Sequence, residues 1–297
     1  MARRCSRVYP SRRLIPLKDN LPTSRFAIVT VVLIAINVAV FAWQLTLSGD
    51  AGTASSAPLA QSGLSERDEA VIRYGAIPQE LTDPGTYCIP STVLKQAHRH
   101  GQLGELGEPC GTREAIEDAT DDDQAPWWVT VFSSMFMHAS ILHIAGNMLF
   151  LWIFGNNIED SMGRPRYVAF YLLGGIVAAY AQSLLDPGST QPSIGASGAV
   201  AGVLGGYALL HPRARVLTLI FIIFFVTVIE IPALIMLGIW FVLQFLPAVG
   251  QLATPEVSGE GGGVAYFAHV GGFIFGLALI KLFANRARDE RPLSPGY

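Results

Sequence analysis

The sequence predicts an all-α membrane protein: a bundle of six transmembrane helices, with a short re-entrant or interfacial segment before the fifth. Three observations predict it. Hydrophobic residues make up 51% of the 297 and charged residues only 14%. The apolar residues gather in runs close to the roughly 20 needed to cross a bilayer core. Polar side chains inside those runs are few, and each is costly there.

The run 26–47, FAIVTVVLIAINVAVFAWQLTL, is the first span. It exceeds the apolar core of about 7–15 residues of a signal peptide, and no small-residue cleavage site follows, so it reads as a signal anchor. Segment 1–25 before it carries Arg3, Arg4, Arg7, Arg12, Arg13, Lys18 and Arg25 against Asp19. Segment 48–126 after it is rich in acids, Asp121, Asp122 and Asp123 among them. The positive-inside rule makes the first a cytoplasmic basic segment and the second an extracytoplasmic loop. Within the loop, 51–63 reads as flexible linker, 66–81 as a short amphipathic helix, and 101–124 as loose, with no soluble domain of its own.

The core 127–284 holds the remaining spans. ILHIAGNMLFLWIFG (141–155), YVAFYLLGGIVAAYAQSLL (167–185) and PSIGASGAVAGVLGGYALL (192–210) give the second to fourth. Residues 216–247 are too long for one upright helix and too short for two with a turn. Glu230 and Pro232 interrupt them, so 216–229 is expected to be partly inserted or surface-lying and 231–247 the fifth span. That choice puts the N-terminal ends of the Ser197 and His269 helices on the same side. VAYFAHVGGFIFGLALIKLF (264–283) is the sixth. The tail 285–297, with Arg286, Arg288 and Arg291, belongs with Lys281 and the stretch His211 to Arg215 on the cytoplasmic side.

The net charge of −3 gives no sign of nucleic-acid binding. The three cysteines show no metal-site spacing. Cys88 and Cys110 share the outer loop, where a disulfide between them can form, and Cys5 lies on the reducing side.

His143 and Asn147 are four apart and share one helix face, with His138 about a turn earlier at the outer boundary. Interhelical hydrogen bonding explains any one of them equally well; together with Ser197 and His269 they point to chemistry. Ala268, Gly272 and Gly276 form a small-residue stripe, as do Gly198, Gly202 and Gly206. Two such stripes let helix backbones approach closely, which would bring Ser197 against His269. A serine hydroxyl needs a base within hydrogen-bond reach to act as a nucleophile, and the developing oxyanion needs donors. His143, Asn147 and the Ser197 N–H qualify as donors. Asp160 and Asp186 lie at helix ends, so a Ser–His dyad is expected rather than a triad. A Gly-x-Ser-x-Gly elbow on a strand-to-helix turn does not fit: Gly198 follows Ser197 directly and no strand precedes it.

His138, His143 and Asn147, the run Gly195-Ala196-Ser197-Gly198, and Ala268-His269 followed by Gly271, Gly272 and Gly276 together resemble the rhomboid family of intramembrane serine proteases, bacterial type. The resemblance covers about 127–284. It implies Ser197 as nucleophile, His269 as general base and acid, His143 and Asn147 at the oxyanion, and His138 supporting a hydrated pocket. It also implies membrane-protein substrates cut in or near their transmembrane helices, from the extracytoplasmic side of a bacterial plasma membrane, with no metal or cofactor. Two departures stand out. Trp127-Trp128-Val129-Thr130 has no arginine where many members carry Trp-Arg, and Ala201 replaces a tyrosine that stacks on the histidine in some.

Two other readings are a non-catalytic relative that binds transmembrane helices as adaptor or chaperone, and a transporter using His138, His143 and Glu230 as a proton path. The first is expected to have lost the serine or the histidine. The second is expected to show inverted repeats, and the sequence has none.

Overall fold

The computed structural model describes residues 13–47, 65–90, 109–120, 124–222, 225–253 and 264–285. The linker 51–63, the acidic triplet 121–123, Cys5 and the tail arginines lie outside these residues. The fold is mostly helical. Among the described residues, five helices are long and apolar enough to cross a membrane. They are α1 (Ile28–Thr46), α6 (Ile141–Met162), α7 (Arg164–Leu185), α9 (Ala233–Ala253) and α10 (Tyr266–Phe283). A further apolar helix, α8 (Ser197–Leu210), has only 14 residues. It runs through the middle of the bundle between α7, α10 and α6, with almost every residue after Ser197 buried. A central helix meets protein on all sides, so its length need not match the bilayer.

Packing between α8 and α10 is backbone against backbone. A Cβ added at Gly272 would collide with the Gly198 carbonyl, one at Gly276 with the Gly202 carbonyl, and one at Gly205 with the Phe273 carbonyl. Gly202 faces the same seam, whereas Gly206 makes room for the Ile280 side chain and Gly198 for Ala178 of α7. Gly205, outside the stripe read from the sequence, is thus part of the contact.

The first helix docks through its N-terminus. The Glu159 carboxylate of α6 accepts the N–H groups of Val29 and Thr30 at 3.0 and 2.8 Å, and the Thr30 hydroxyl at 2.9 Å. An anion at this end satisfies free amides and meets the positive end of the helix dipole. Asp160 beside it accepts from Ser24.

The all-α expectation needs correction. Segment 216–229, expected to be partly inserted or surface-lying, falls in two strands rather than helix. Strands β4 (Arg215–Ile222) and β5 (Phe225–Pro232) pair antiparallel, and β1 (Arg13–Asp19) adds to β4, giving the order β1-β4-β5. The segment is dense in β-branched and aromatic residues, which favour strands. Buried Val216 and Thr218 alternate with exposed Arg215 and Leu217. An unbroken apolar run hides this period of two. Glu230 is exposed and pairs with Arg215 at 3.4 Å. Where the sheet meets the bundle, Asp19 accepts from Tyr207 Oη at 2.6 Å and Asn157 Nδ2 at 2.5 Å, and burial pushes its carboxyl up to about 6.

The outer loop is also more built than its composition suggests. Ser65 and Asp68 form a capping box at α2 (Glu66–Tyr74). It is followed by α3 (Pro78–Thr82), strands β2 (Tyr87–Cys88) and β3 (Cys110–Gly111), and α4 (Arg113–Thr120), the last within the stretch expected to be loose. Cys88 and Cys110 form a disulfide. Cys88 is held further by its N–H to Glu80 and by its carbonyl to Gln124 Nε2. This cap sits on the segment leading into α8: Ala76 and Ser193 exchange backbone hydrogen bonds, and the Gln79 N–H donates to Ser189.

Candidate active site

Helices α8 and α10 begin at the same end of the bundle, and their first turns carry Ser197 and His269. Ser197 Oγ lies 2.7 Å from His269 Nε2. The glycine seam sets this approach, because any side chain there would hold the two first turns apart.

The approach to Ser197 depends on Gly195, whose φ of 130° lies in the left-handed region that favours glycine. Its N–H donates to the Ser134 carbonyl at 2.8 Å, and a Cβ on it would lie 2.8 Å from the His143 ring. Gly195 therefore serves both the turn and the approach of His143 to the serine's segment. The Ala139 N–H donates to His143 Nδ1 at 3.4 Å. A neutral ring that accepts at Nδ1 carries its proton on Nε2, and Nε2 is among the ring atoms nearest the Gly195 backbone. His143 thus presents a donor beside Ser197.

Asn147 is buried one turn below His143, and its Nδ2 donates to the His143 carbonyl at 3.0 Å. An amide nitrogen has two hydrogens, so one more donation is open to it. His138 packs edge-on against His143 at 5.0 Å between ring centroids. Its N–H donates to Gln44 Oε1 of α1 at 2.9 Å, and its Nε2 accepts the Ala196 N–H at 3.5 Å. His138 therefore ties the first helix to the segment carrying the serine. Asp160 and Asp186 stand at helix ends, and Glu230 lies on β5, beyond the C-terminal end of α8. Among the described residues, no hydrogen bond joins Glu230 to His138 or His143.

Both sequence departures have structural counterparts. Trp127 and Trp128 open α5 (Trp127–Ser133), which is fixed by the Ser133 hydroxyl donating to the Tyr74 carbonyl at 2.7 Å. The Ala125 N–H donates to the Arg73 carbonyl just before it. Ala201 leaves no ring over His269. The ring is flanked instead by Trp240 of α9, with centroids 6.0 Å apart, and its Nδ1 lies 2.7 Å from Gln244 Oε1 on the same helix. Gln44 and Gln244 were not among the residues singled out from the sequence. The signal was available, since an amide in an apolar span is as conspicuous as a histidine.

Beside Ser197 a small cavity is lined by Ala76, Ser134, Gly175, Ala178, Gly198 and Ala268, among others. One wall thus comes from the disulfide-closed cap and the rest from the bundle.

Comparison with known proteins bears on this arrangement. The family model described as Rhomboid domain matches residues 125–286, more than half of the chain. The chain is 29% identical over 167 residues to Rhomboid protein 1, mitochondrial, of Saccharomyces cerevisiae, which covers 55% of this chain and 44% of that protein. It is 39% identical over 88 residues to Rhomboid protease GluP of Bacillus subtilis (30% of this chain, 16% of that one). It is 36% identical over 91 residues to presenilin-associated rhomboid-like protein, mitochondrial, of Mus musculus (30% and 24%). The chain thus spans less than half the length of each of these curated relatives.

Proposed function

The chain belongs to the rhomboid family, and from that premise we propose that it is an intramembrane serine endopeptidase cutting other membrane proteins in or near their transmembrane helices. The observation that carries the reading is the 2.7 Å hydrogen bond between Ser197 Oγ and His269 Nε2. In the proposed reaction, Nε2 takes the Ser197 proton as Oγ attacks the substrate carbonyl carbon. The tetrahedral oxyanion receives hydrogen bonds from His143 Nε2, the second Asn147 amide hydrogen and the Ser197 N–H. The C–N bond then breaks, Nε2–H protonates the leaving amine, and an acyl-serine ester remains. Water, deprotonated by the same ring, hydrolyses the ester. Every group in this sequence is a side chain or backbone amide of this chain, or water.

In the same reading α8 is the fourth of six spans despite its length, held inside the other five. The divisions are a basic segment 1–25, a first span 26–47, an outer loop 48–126, a catalytic core 127–284 and a tail 285–297. The site opens to the extracytoplasmic side of a bacterial plasma membrane, with both termini inside. Support for that orientation comes from chemistry at the two ends. The disulfide caps the Ser197 end, and disulfides persist on oxidising sides. Arg25, Arg164, Arg213 and Arg215 gather at the other end, as positive-inside logic expects. Small residues lining the cavity beside Ser197 suit a small substrate side chain next to the cut bond.

The test uses purified protein in liposomes with a reporter of one transmembrane helix. Wild type is expected to cleave it and Ser197→Ala to fall to background. Equal cleavage by Ser197→Ala would sink the assignment. A fluorophosphonate should label wild type and fail to label His269→Ala. A wild type that binds the reporter but is neither labelled nor active would support the non-catalytic helix binder instead.

A further inference from the structure

Helix α9 is apolar along most of its length, yet it aims one amide at the ring of His269. Gln244 Oε1 lies 2.7 Å from His269 Nδ1. A carbonyl oxygen can only accept, so Nδ1 must carry the hydrogen that it donates. A neutral imidazole has one N–H. The bond to Gln244 therefore leaves Nε2 bare, and Nε2 is the atom 2.7 Å from Ser197 Oγ. The serine hydroxyl must then donate to the ring.

We propose that Gln244 is the positioning residue of His269: it fixes the tautomer in which Nε2 is ready to accept the serine proton, and so makes the pair a Ser–His–Gln arrangement. This rests on the protease reading above. When the Ser197 proton moves to Nε2, the ring gains a positive charge and keeps Nδ1–H on Gln244 Oε1. The amide dipole points its negative end at that charge. An amide orients the ring as a carboxylate would, without placing a full charge in an apolar span. Trp240, on the same helix one turn earlier, flanks the ring at 6.0 Å, and Tyr266 of α10 lies edge-on at 6.4 Å. The ring is thus flanked by aromatics and held in its hydrogen-bonding sense by Gln244. The task a stacked tyrosine performs in some relatives passes here to α9, since Ala201 offers only a methyl group.

An amide that merely joined α9 to α10 would be indifferent to the tautomer, and the test separates the two roles. Wild type, Ser197→Ala, Gln244→Met and Gln244→Glu are assayed against the single-helix reporter in liposomes. 15N spectra of histidine-labelled protein report the protonated ring nitrogen of His269 in the same preparations. Gln244→Met, similar in size but with only a weakly accepting thioether, should lower kcat by about 10- to 100-fold while KM stays within about twofold. Gln244→Glu restores an acceptor and should return kcat to within about fivefold of wild type. In wild type and Ser197→Ala the His269 proton should sit on Nδ1, and in Gln244→Met it should move wholly or partly to Nε2. A Gln244→Met enzyme with wild-type kcat, or an unchanged ring tautomer in that variant, overturns the proposal. Cleavage that survives Ser197→Ala overturns the protease reading instead, while the ring spectra still decide the role of Gln244.

Discussion

His269 hydrogen-bonds to two helices, α8 and α9, and these are held in opposite ways. Its own helix meets α8 through glycines, with backbone carbonyls where side chains would otherwise stand. Against α9 it meets side chains: Gln244 by one hydrogen bond, while the Trp240 and Phe241 rings pack on Phe273. The serine side is also tied at its outer end. The cap bonds to the segment before α8, and the Gly195 N–H bonds to Ser134. By contrast α9 is the least buried of the five long spans, and Pro247 lies inside it. That proline removes the amide hydrogen that would bond the Leu243 carbonyl, one residue before Gln244. The serine–histidine distance is therefore set by a rigid seam, and the sense of the histidine ring by a more yielding one.

The largest expected effect breaks the rigid seam. Gly276→Val puts two methyl groups against Gly202 and the Gly206 N–H, and α8 and α10 must separate. Overpacking of this kind should cost about 3 kcal/mol or more, read as a fall in the thermal unfolding midpoint with loss of fluorophosphonate labelling. Next comes the cap. Removing the disulfide with Cys88→Ala and Cys110→Ala should cost about 3 kcal/mol for a loop of 22 residues. Protease nicking within 65–120 should rise before the bundle unfolds.

The same cap carries a pH signature. Burial pushes the Glu80 carboxyl up from 4.5 to about 7, against the Cys88 N–H that favours its charged form. The folded state thus binds a proton more tightly than the unfolded chain does. The stability this gives is full below about pH 4.5 and is lost as pH rises through about 7. Glu80→Gln should flatten that slope, an effect on the order of 3 kcal/mol, in hydrogen-exchange protection around Cys88. On the yielding side, Phe241→Ala removes a ring 4.7 Å from that of Phe273. It should cost about 1–2 kcal/mol, read as a lower unfolding midpoint, and lower kcat while fluorophosphonate labelling of Ser197 persists. The smallest effect is expected at the hairpin leading into α9. Arg215 and Glu230 are both more than half exposed, so Glu230→Gln should shift the unfolding midpoint by less than about 1 kcal/mol.

What the sequence revealed follows the same division. Glycine spacing is visible in one dimension, so the approach of the Ser197 and His269 helices could be read from Gly198, Gly202, Gly272 and Gly276. Gly205 was not legible, because it falls off the four-residue stripe. Gln244 and Gln44 sit alone in apolar runs, and their meaning depends on which helix they face. The hairpin was hidden because both faces of 216–229 are largely apolar, which removes the alternation that betrays a strand. The cap was legible in part, in its helix within 66–81 and the Cys88–Cys110 pair; the rest was hidden because its order comes from Glu80 and Gln124 on Cys88, residues that meet only after folding.

Glu159 has a consequence for the order in which the protein is made. It accepts the N–H groups of Val29 and Thr30 from about 130 positions further along the chain. Until ribosomes have delivered that carboxylate, those amides have only water or lipid headgroups to bond. The first span can enter the bilayer early, but it cannot settle against its neighbours, because burying bare amides in a water-free contact costs several kcal/mol. The two amides at the start of α1 thus gain their protein acceptor only with the second span.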